Sequence, residues 1–167
     1  MNRMCLIAMA AALVAGCGEA QQQPAAAAAT PAAELAVSKA VPKGWMEDFE
    51  AAKKLAAKEK RRILLAVSGS DWCYWCKKLD AEVYGKKEFL DLIAKDYVPV
   101  LVDCARDPAI LSPLARKQNR ELARRFGVDG FPCAILLDSN GKEIGRIGGY
   151  VAGGPSAYRA KMDEAAK

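Results

Sequence analysis

Apolar and polar positions along this chain change period several times, and each change marks an element. From Gly44 to Lys60 the residues Trp45, Phe49, Ala52, Leu55 and Ala56 recur at helical spacing, with acids early and lysines late, an order that suits the helix dipole. Ile63-Leu64-Leu65-Ala66-Val67 is a continuous apolar run of strand length, which predicts a strand buried on both faces. Helical spacing resumes after Cys73, with Cys76, Leu79 and Val83 on one side and Lys77, Lys78, Asp80 and Glu82 facing water, until Gly85. Lys86 to Lys95 predicts a short helix on Phe89, Leu90, Leu92 and Ile93. Tyr97 to Asp103 predicts a second buried strand, with Pro99 near its start or at a sheet edge. Asp107 to Pro113 reads as a loop, and Gln118 to Phe126 as a basic amphipathic helix on Leu122, Ala123 and Phe126, closing at Gly127. Cys133 to Asp138 and Lys142 to Gly148 form a predicted hairpin around Ser139-Asn140-Gly141, and Pro155 to Ala166 a final helix.

The order is therefore helix, strand, helix, helix, strand, helix, hairpin, helix, an α/β arrangement with parallel strands first and an antiparallel pair last. Ahead of it, Arg3 and the apolar run Cys5 to Val14 have the form of an export signal over residues 1–16, well short of the ~20 residues a spanning helix needs. Leu13-Val14-Ala15-Gly16-Cys17 resembles the lipobox of bacterial lipoproteins, which implies that Cys17 is lipidated and becomes the first residue of the mature chain. Gly18 in place of an aspartate favours, by the same resemblance, the outer membrane. The alternative is an ordinary cleaved signal in which Cys17 is incidental. Residues 17–41, rich in Ala, Gln and Pro, cannot form a packed core and read as a flexible tether, so the folded domain is expected over 42–167.

Composition agrees with one domain plus an extension: 167 residues, 52% apolar and 27% charged. Loss of Arg3 takes the net charge from +5 to +4, too mild for nucleic acid, which is not expected as a partner. Lys58 to Arg62 and the four arginines between Arg116 and Arg125 read as solvated helix surface. The six cysteines reduce to four thiols once Cys5 leaves with the signal and Cys17 is taken by lipid: Cys73, Cys76, Cys104 and Cys133. Export permits disulfides among them.

Two of the four stand two residues apart in Asp71-Trp72-Cys73-Tyr74-Trp75-Cys76-Lys77-Lys78, immediately after a strand. Cys73 then sits at a helix N-terminus, where the dipole and unpaired backbone N–H groups stabilise a thiolate, the form that attacks disulfides. Cys76, one turn inside, is poised to resolve a mixed disulfide formed at Cys73. Cys104 ends one strand and Cys133 starts another; they are either a second disulfide or two buried thiols acting as small apolar groups. The gaps of 27 and 28 residues between Cys76, Cys104 and Cys133 provide no second close pair for a zinc site. Lys77 stands where haem attachment needs histidine. No metal and no cofactor are expected.

The chain resembles the thioredoxin-like superfamily over about residues 43–166, through Trp72-Cys73-Tyr74-Trp75-Cys76-Lys77 after the first strand and Gly130-Phe131-Pro132 before the hairpin. It looks most like the exported bacterial branch with an aromatic residue before the second cysteine. The resemblance implies a thioredoxin-like fold, a central four-stranded mixed sheet flanked by helices with an N-terminal helix before the first strand. It also implies a cis bond at Pro132 packed against the cysteine pair, and a substrate surface of Trp72, Tyr74, Trp75, Phe131 and Pro132. Thioredoxin carries a buried aspartate six residues before its first cysteine, whereas this chain has Val67; Asp71 and Asp103 read as exposed or structural. The chain has no histidine to lower the nucleophile's pKa.

The expected function is an envelope thiol–disulfide oxidoreductase exchanging disulfides in exported proteins, nearer a thioredoxin potential of ~−270 mV than a strong oxidant's ~−120 mV. Its partners would be protein thiols and disulfides, an unidentified redox partner, and the membrane through the lipid anchor on the periplasmic side. The alternative is a non-catalytic binding or assembly module that docks partners on the aromatic surface around the cysteine pair.

Overall fold

The computed structural model describes residues 38, 39 and 41–167. The expected signal peptide, Cys17 and nearly all of the tether lie outside the described residues. Among the described residues no helix is long and apolar enough to cross a membrane.

The elements in chain order are α1 (Phe49–Glu59), β1 (Arg62–Ser68), α2 (Tyr74–Leu79), a π-helical turn (Asp80–Tyr84), α3 (Lys87–Ile93), β2 (Tyr97–Asp103), a 3-10 turn (Pro108–Ile110), α4 (Pro113–Arg125), β3 (Cys133–Leu137), β4 (Glu143–Gly148) and α5 (Gly154–Ala165). The four strands form one sheet in the order β2-β1-β3-β4. β1 runs parallel to β2 and antiparallel to β3, and β3 pairs antiparallel with β4. This is the thioredoxin-like arrangement expected above.

Two-sided burial explains the unbroken apolar runs. Along β1, Ile63, Leu65 and Val67 pack with α1 and α4, while Leu64 and Ala66 join the opposite layer. The same alternation places Ile135 and Leu137 of β3 on the first face and Ala134 and Leu136 on the second. Under the second face an aromatic cluster ties α3, the π turn and α5 together. Phe89 lies 5.7 Å from each of the Tyr84 and Tyr158 rings, and the Tyr84 and Tyr158 hydroxyls meet at 2.6 Å. The indole of Trp45 donates to the Tyr84 carbonyl at 3.1 Å.

Three boundaries differ from the sequence pattern. Helix α1 begins at Phe49, not Gly44, because Asp48 adopts an extended N-cap conformation and accepts from Ala51 N–H. Ahead of it, Met46 bridges Val100 at the outer edge of β2, accepting from Leu101 N–H and donating to the Pro99 carbonyl. Pro99, with no N–H to donate, thus sits on the edge strand. Helix α4 begins at Pro113, not Gln118, with Ser112 capping Ala115 N–H and proline in the first turn. The helix after Cys73 changes to a π turn at Asp80, where Gly85 N–H donates to Asp80 C=O. That wider turn lets the neighbours Val83 and Tyr84 both point into the core.

The described chain packs from Ser38 onward, ahead of the expected start at Pro42. Buried Ser38, Glu47 and Ser112 form one polar network: Ser38 N–H and Oγ both donate to Glu47 Oε1, and Ser112 Oγ donates to Glu47 Oε2 at 2.6 Å.

Candidate active site

The loop between β1 and α2 is short, and hydrogen bonds fix its course. Trp72 and Cys73 N–H both donate to the Gly69 carbonyl, which turns the chain sharply at the end of β1. A Cβ on Gly69 would run into the Trp72 indole, so glycine is what allows that ring to lie back over the loop. Two carboxylates hold the loop to the end of β2. Asp103 accepts from Ser70 N–H at 2.9 Å and from Ser70 Oγ, and Asp71 accepts from the amides of Arg106 and Asp107. Both aspartates are therefore structural, as their sequence context suggests. Desolvation opposes ionisation of Asp71, yet the Asp107 and Arg106 amides hold its carboxyl below the usual range. For Asp103 desolvation wins over the Ser70 hydrogen bonds and raises the carboxyl.

Cys73 is the N-cap of α2 and forms a disulfide with Cys76, at a Cα separation of 5.2 Å. Cys76 N–H donates to Cys73 Sγ at 3.2 Å, so an amide is already aimed at the sulfur that would carry negative charge after reduction. Cys73 is 7% exposed and Cys76 2%, which makes Cys73 the sulfur that an incoming group reaches. The Phe131–Pro132 peptide bond is cis, and the Pro132 carbonyl accepts from Gly149 N–H.

Of the residues named as substrate surface, Trp72 and Phe131 pack edge to face with centroids 5.0 Å apart, and Trp72 Nε1 donates to the Cys104 carbonyl. Tyr74 and Trp75 project outward, 68% and 48% exposed. Trp75 also stacks against Tyr150 at 5.2 Å, with the Lys78 ammonium over both rings. Cys104 and Cys133 are free thiols, not a second disulfide. Burial and the nearby Asp103 charge push the Cys104 thiol up to about 11, with Arg120 opposing. Burial likewise raises Cys133. Neither is a ready nucleophile at neutral pH.

The described domain has the family's general form, and a family model described as a thioredoxin-like domain matches residues 49–166. The chain belongs to the thioredoxin-like family. The disulfide bond reductase DsbH of Chlamydia pneumoniae is 31% identical over 121 residues, covering 72% of each chain. The thioredoxin-related protein DsbJ of the same organism is 31% identical over 106 residues, which are 64% of this chain and 30% of DsbJ. A solved structure of a DsbH oxidoreductase superposes with a TM-score of 0.66 at 28% identity, covering 89% of this chain and 94% of that one. This thioredoxin-like chain is thus a homologue of thiol–disulfide oxidoreductases and carries their CxxC pair in disulfide form.

One residue that the sequence pattern turned to water is exposed, as expected, and also lines a cavity with Cys76. Asp80 lies one helical turn beyond Cys76, donating its N–H to the Cys76 carbonyl, and both line a cavity of about 340 Å3 with Lys77, Ser70 and Tyr84. Val67, where thioredoxin has its aspartate, is buried among apolar side chains. Asp80 is exposed, yet partial desolvation raises its carboxyl. A carboxylate that lines one cavity with Cys76 is the candidate base for that thiol. As a base it acts only when ionised, so release of a mixed disulfide should slow as pH falls through the raised Asp80 pKa. Asp80→Asn is expected to remove that pH dependence and slow release about tenfold. Stopped-flow measurement of the step against pH checks this; an unchanged profile excludes Asp80 as the base.

Proposed function

We propose that this protein is an envelope thiol–disulfide oxidoreductase acting on disulfides of exported proteins, with Cys73 as nucleophile and Cys76 as resolving thiol. The observation that carries this reading is the Cys73–Cys76 disulfide at the head of α2, its outer sulfur bordered by an exposed aromatic surface. In the reduced form the Cys73 thiolate attacks one sulfur of a substrate disulfide and expels the other as thiolate. Cys76 then attacks Cys73 Sγ, releases the second substrate thiolate and closes the Cys73–Cys76 bond. Two electrons pass to the substrate, and a dithiol partner must return them. The loop Phe131-Pro132 borders this path: with the Pro132 carbonyl committed to Gly149, the Phe131 backbone is the part offered to an extended segment.

The direction proposed is reductive. The chain has no histidine, and Trp72, Tyr74 and Trp75 add no charge that would favour a thiolate strongly enough to make the disulfide a powerful oxidant. The export signal at 1–16 and the lipobox-like Leu13 to Cys17 support a lipid-anchored place on the periplasmic side, with Gly18 favouring the outer membrane.

Insulin reduction fuelled by dithiothreitol, together with equilibration against glutathione, tests the proposal. The wild type is expected to reduce insulin and to show a potential more negative than ~−200 mV. A value above ~−180 mV would overturn the reductive direction. Absence of insulin reduction would favour the second reading, a binding module, for which the exposed Tyr74 and Trp75 rings are the supporting observation.

A further inference from the structure

Trp72, the neighbour of Cys73 in the chain, borders a cleft whose charge the oxidoreductase chemistry does not use. It has a volume of about 420 Å3 and is lined by Trp72, Phe131, Cys104, Arg106, Arg120 and Arg124. An adjoining hollow of about 370 Å3 shares Cys104, Arg106 and Arg120 and adds Arg116. Arg116, Arg120 and Arg124 follow one another at four-residue steps along α4, so they stand in a row on one helix face. Like charges at that spacing disfavour a helix slightly, and a bound anionic group would relieve that repulsion. Among the described residues only Arg124 of this row has an acidic partner, Glu121. Two carboxylates of this region are engaged elsewhere: Asp103, which lines the second hollow, by Ser70, and Asp71 by the amides of Arg106 and Asp107. The Arg106 guanidinium lies over the Trp72 ring, 4.9 Å from its centroid, and so carries the positive charge to within one residue of Cys73.

Phe131 faces two ways. Besides the arginine cleft it lines a smaller hollow of about 290 Å3 with Trp75, Gly149 and Tyr150, an aromatic lining with the Lys78 ammonium over the Trp75 and Tyr150 rings. A chain crossing Phe131 to bring its disulfide to Cys73 would therefore meet a group of arginines on one side and aromatic rings with a single lysine over them on the other.

We propose that the arginine cleft selects substrates for the thiol exchange at Cys73, by holding an acidic segment of the polypeptide on one side of its disulfide. The Trp75–Tyr150 hollow takes an apolar side chain on the other side. This rests on the oxidoreductase reading and adds to it a substrate class. A concave site bordered by Trp72, next to Cys73 in the chain, suits a protruding peptide better than a flat lipid surface, which would meet only its rim.

The test uses the reduced full-length protein and two disulfide-linked peptide dimers that differ only in their flanking residues, Asp-Glu in one and Lys-Lys in the other. Stopped-flow tryptophan fluorescence gives the second-order rate for each. The acidic peptide is expected to react about tenfold faster or more at low salt, the advantage shrinking to about twofold near 0.5 M salt as the charges are screened. In Arg116→Glu/Arg120→Glu the ratio should fall to one or invert, and in Arg116→Lys/Arg120→Lys it should largely return. Circular dichroism checks that each folds, and Arg116→Gln/Arg120→Gln replaces the glutamate pair if that pair does not. A wild-type ratio within about twofold of one at low salt overturns the inference. So does a ratio that the charge reversal leaves unchanged, or a charge reversal that instead abolishes binding to phosphatidylglycerol vesicles while the ratio stays put. If reduced wild type reacts with neither peptide, the oxidoreductase reading itself falls and takes this one with it; equal reaction with both removes the charge selection alone.

Discussion

Cys73→Ser is expected to lower insulin reduction by at least about a thousandfold, with the fold intact. The hydroxyl is far too weakly acidic to supply the anion that the amide of Cys76 is positioned to stabilise. Cys76 cannot substitute, because it is 2% exposed and lies one turn inside α2. Cys104, with its thiol pushed up to about 11, is essentially protonated at neutral pH. The companion Cys76→Ala should behave differently: attack at Cys73 proceeds, release does not, and a mixed disulfide accumulates that non-reducing electrophoresis resolves and dithiothreitol removes. Retention of more than about a tenth of the activity in Cys73→Ser would move the nucleophile to another cysteine and undo the assignment. Mixed disulfides formed equally by both variants would undo the division of roles between the two sulfurs.

Phe89→Ala is expected to destabilise the domain by about 3–5 kcal/mol, the cost of emptying a fully buried aromatic site. The ring packs against Trp45, Tyr84 and Tyr158, so its removal leaves three large side chains that cannot close the gap without losing the Trp45 and Tyr84 hydrogen bonds. Against a total stability of ~5–15 kcal/mol, that is enough to lower the midpoint of thermal unfolding by roughly 10 °C or more. Calorimetry of the oxidised protein checks it. A fall of less than about 3 °C would mean that the layer beneath the π turn is not held by this cluster. The consequence reaches the site, because the same layer supports the π turn that begins at Asp80, one helical turn beyond Cys76.

The strands were readable because each is buried on both faces, and two-sided burial leaves an unbroken apolar run such as Leu64-Leu65-Ala66 that no amphipathic helix produces. Helix starts were less readable. Trp45 extends the helical spacing of α1 backwards by coincidence: it is buried because Met46 beside it adds a bridge to β2, an event at the other end of a long sequence separation. Ser112-Pro113 is different, since a capping hydroxyl followed by proline is a local helix-start signal that the hydropathy pattern alone passes over. The π turn has no such signal; it follows from the demand to bury Val83 and Tyr84 together.

Taken by itself, the sequence determined the cysteine pair, its place after a buried strand and its position at a helix N-terminus, because all three are relations within a few residues. It also determined that Cys73 precedes Cys76 in reach, since the second cysteine of the pair lies one turn inside the helix. Tertiary structure alone decided that Cys104 and Cys133 remain separate thiols and that Arg106 joins the arginine row of α4 beside Trp72. Each of these depends on where separate segments meet around the sheet. Charge and exposure at such meeting points follow from packing, which the spacing of residues along one segment does not encode.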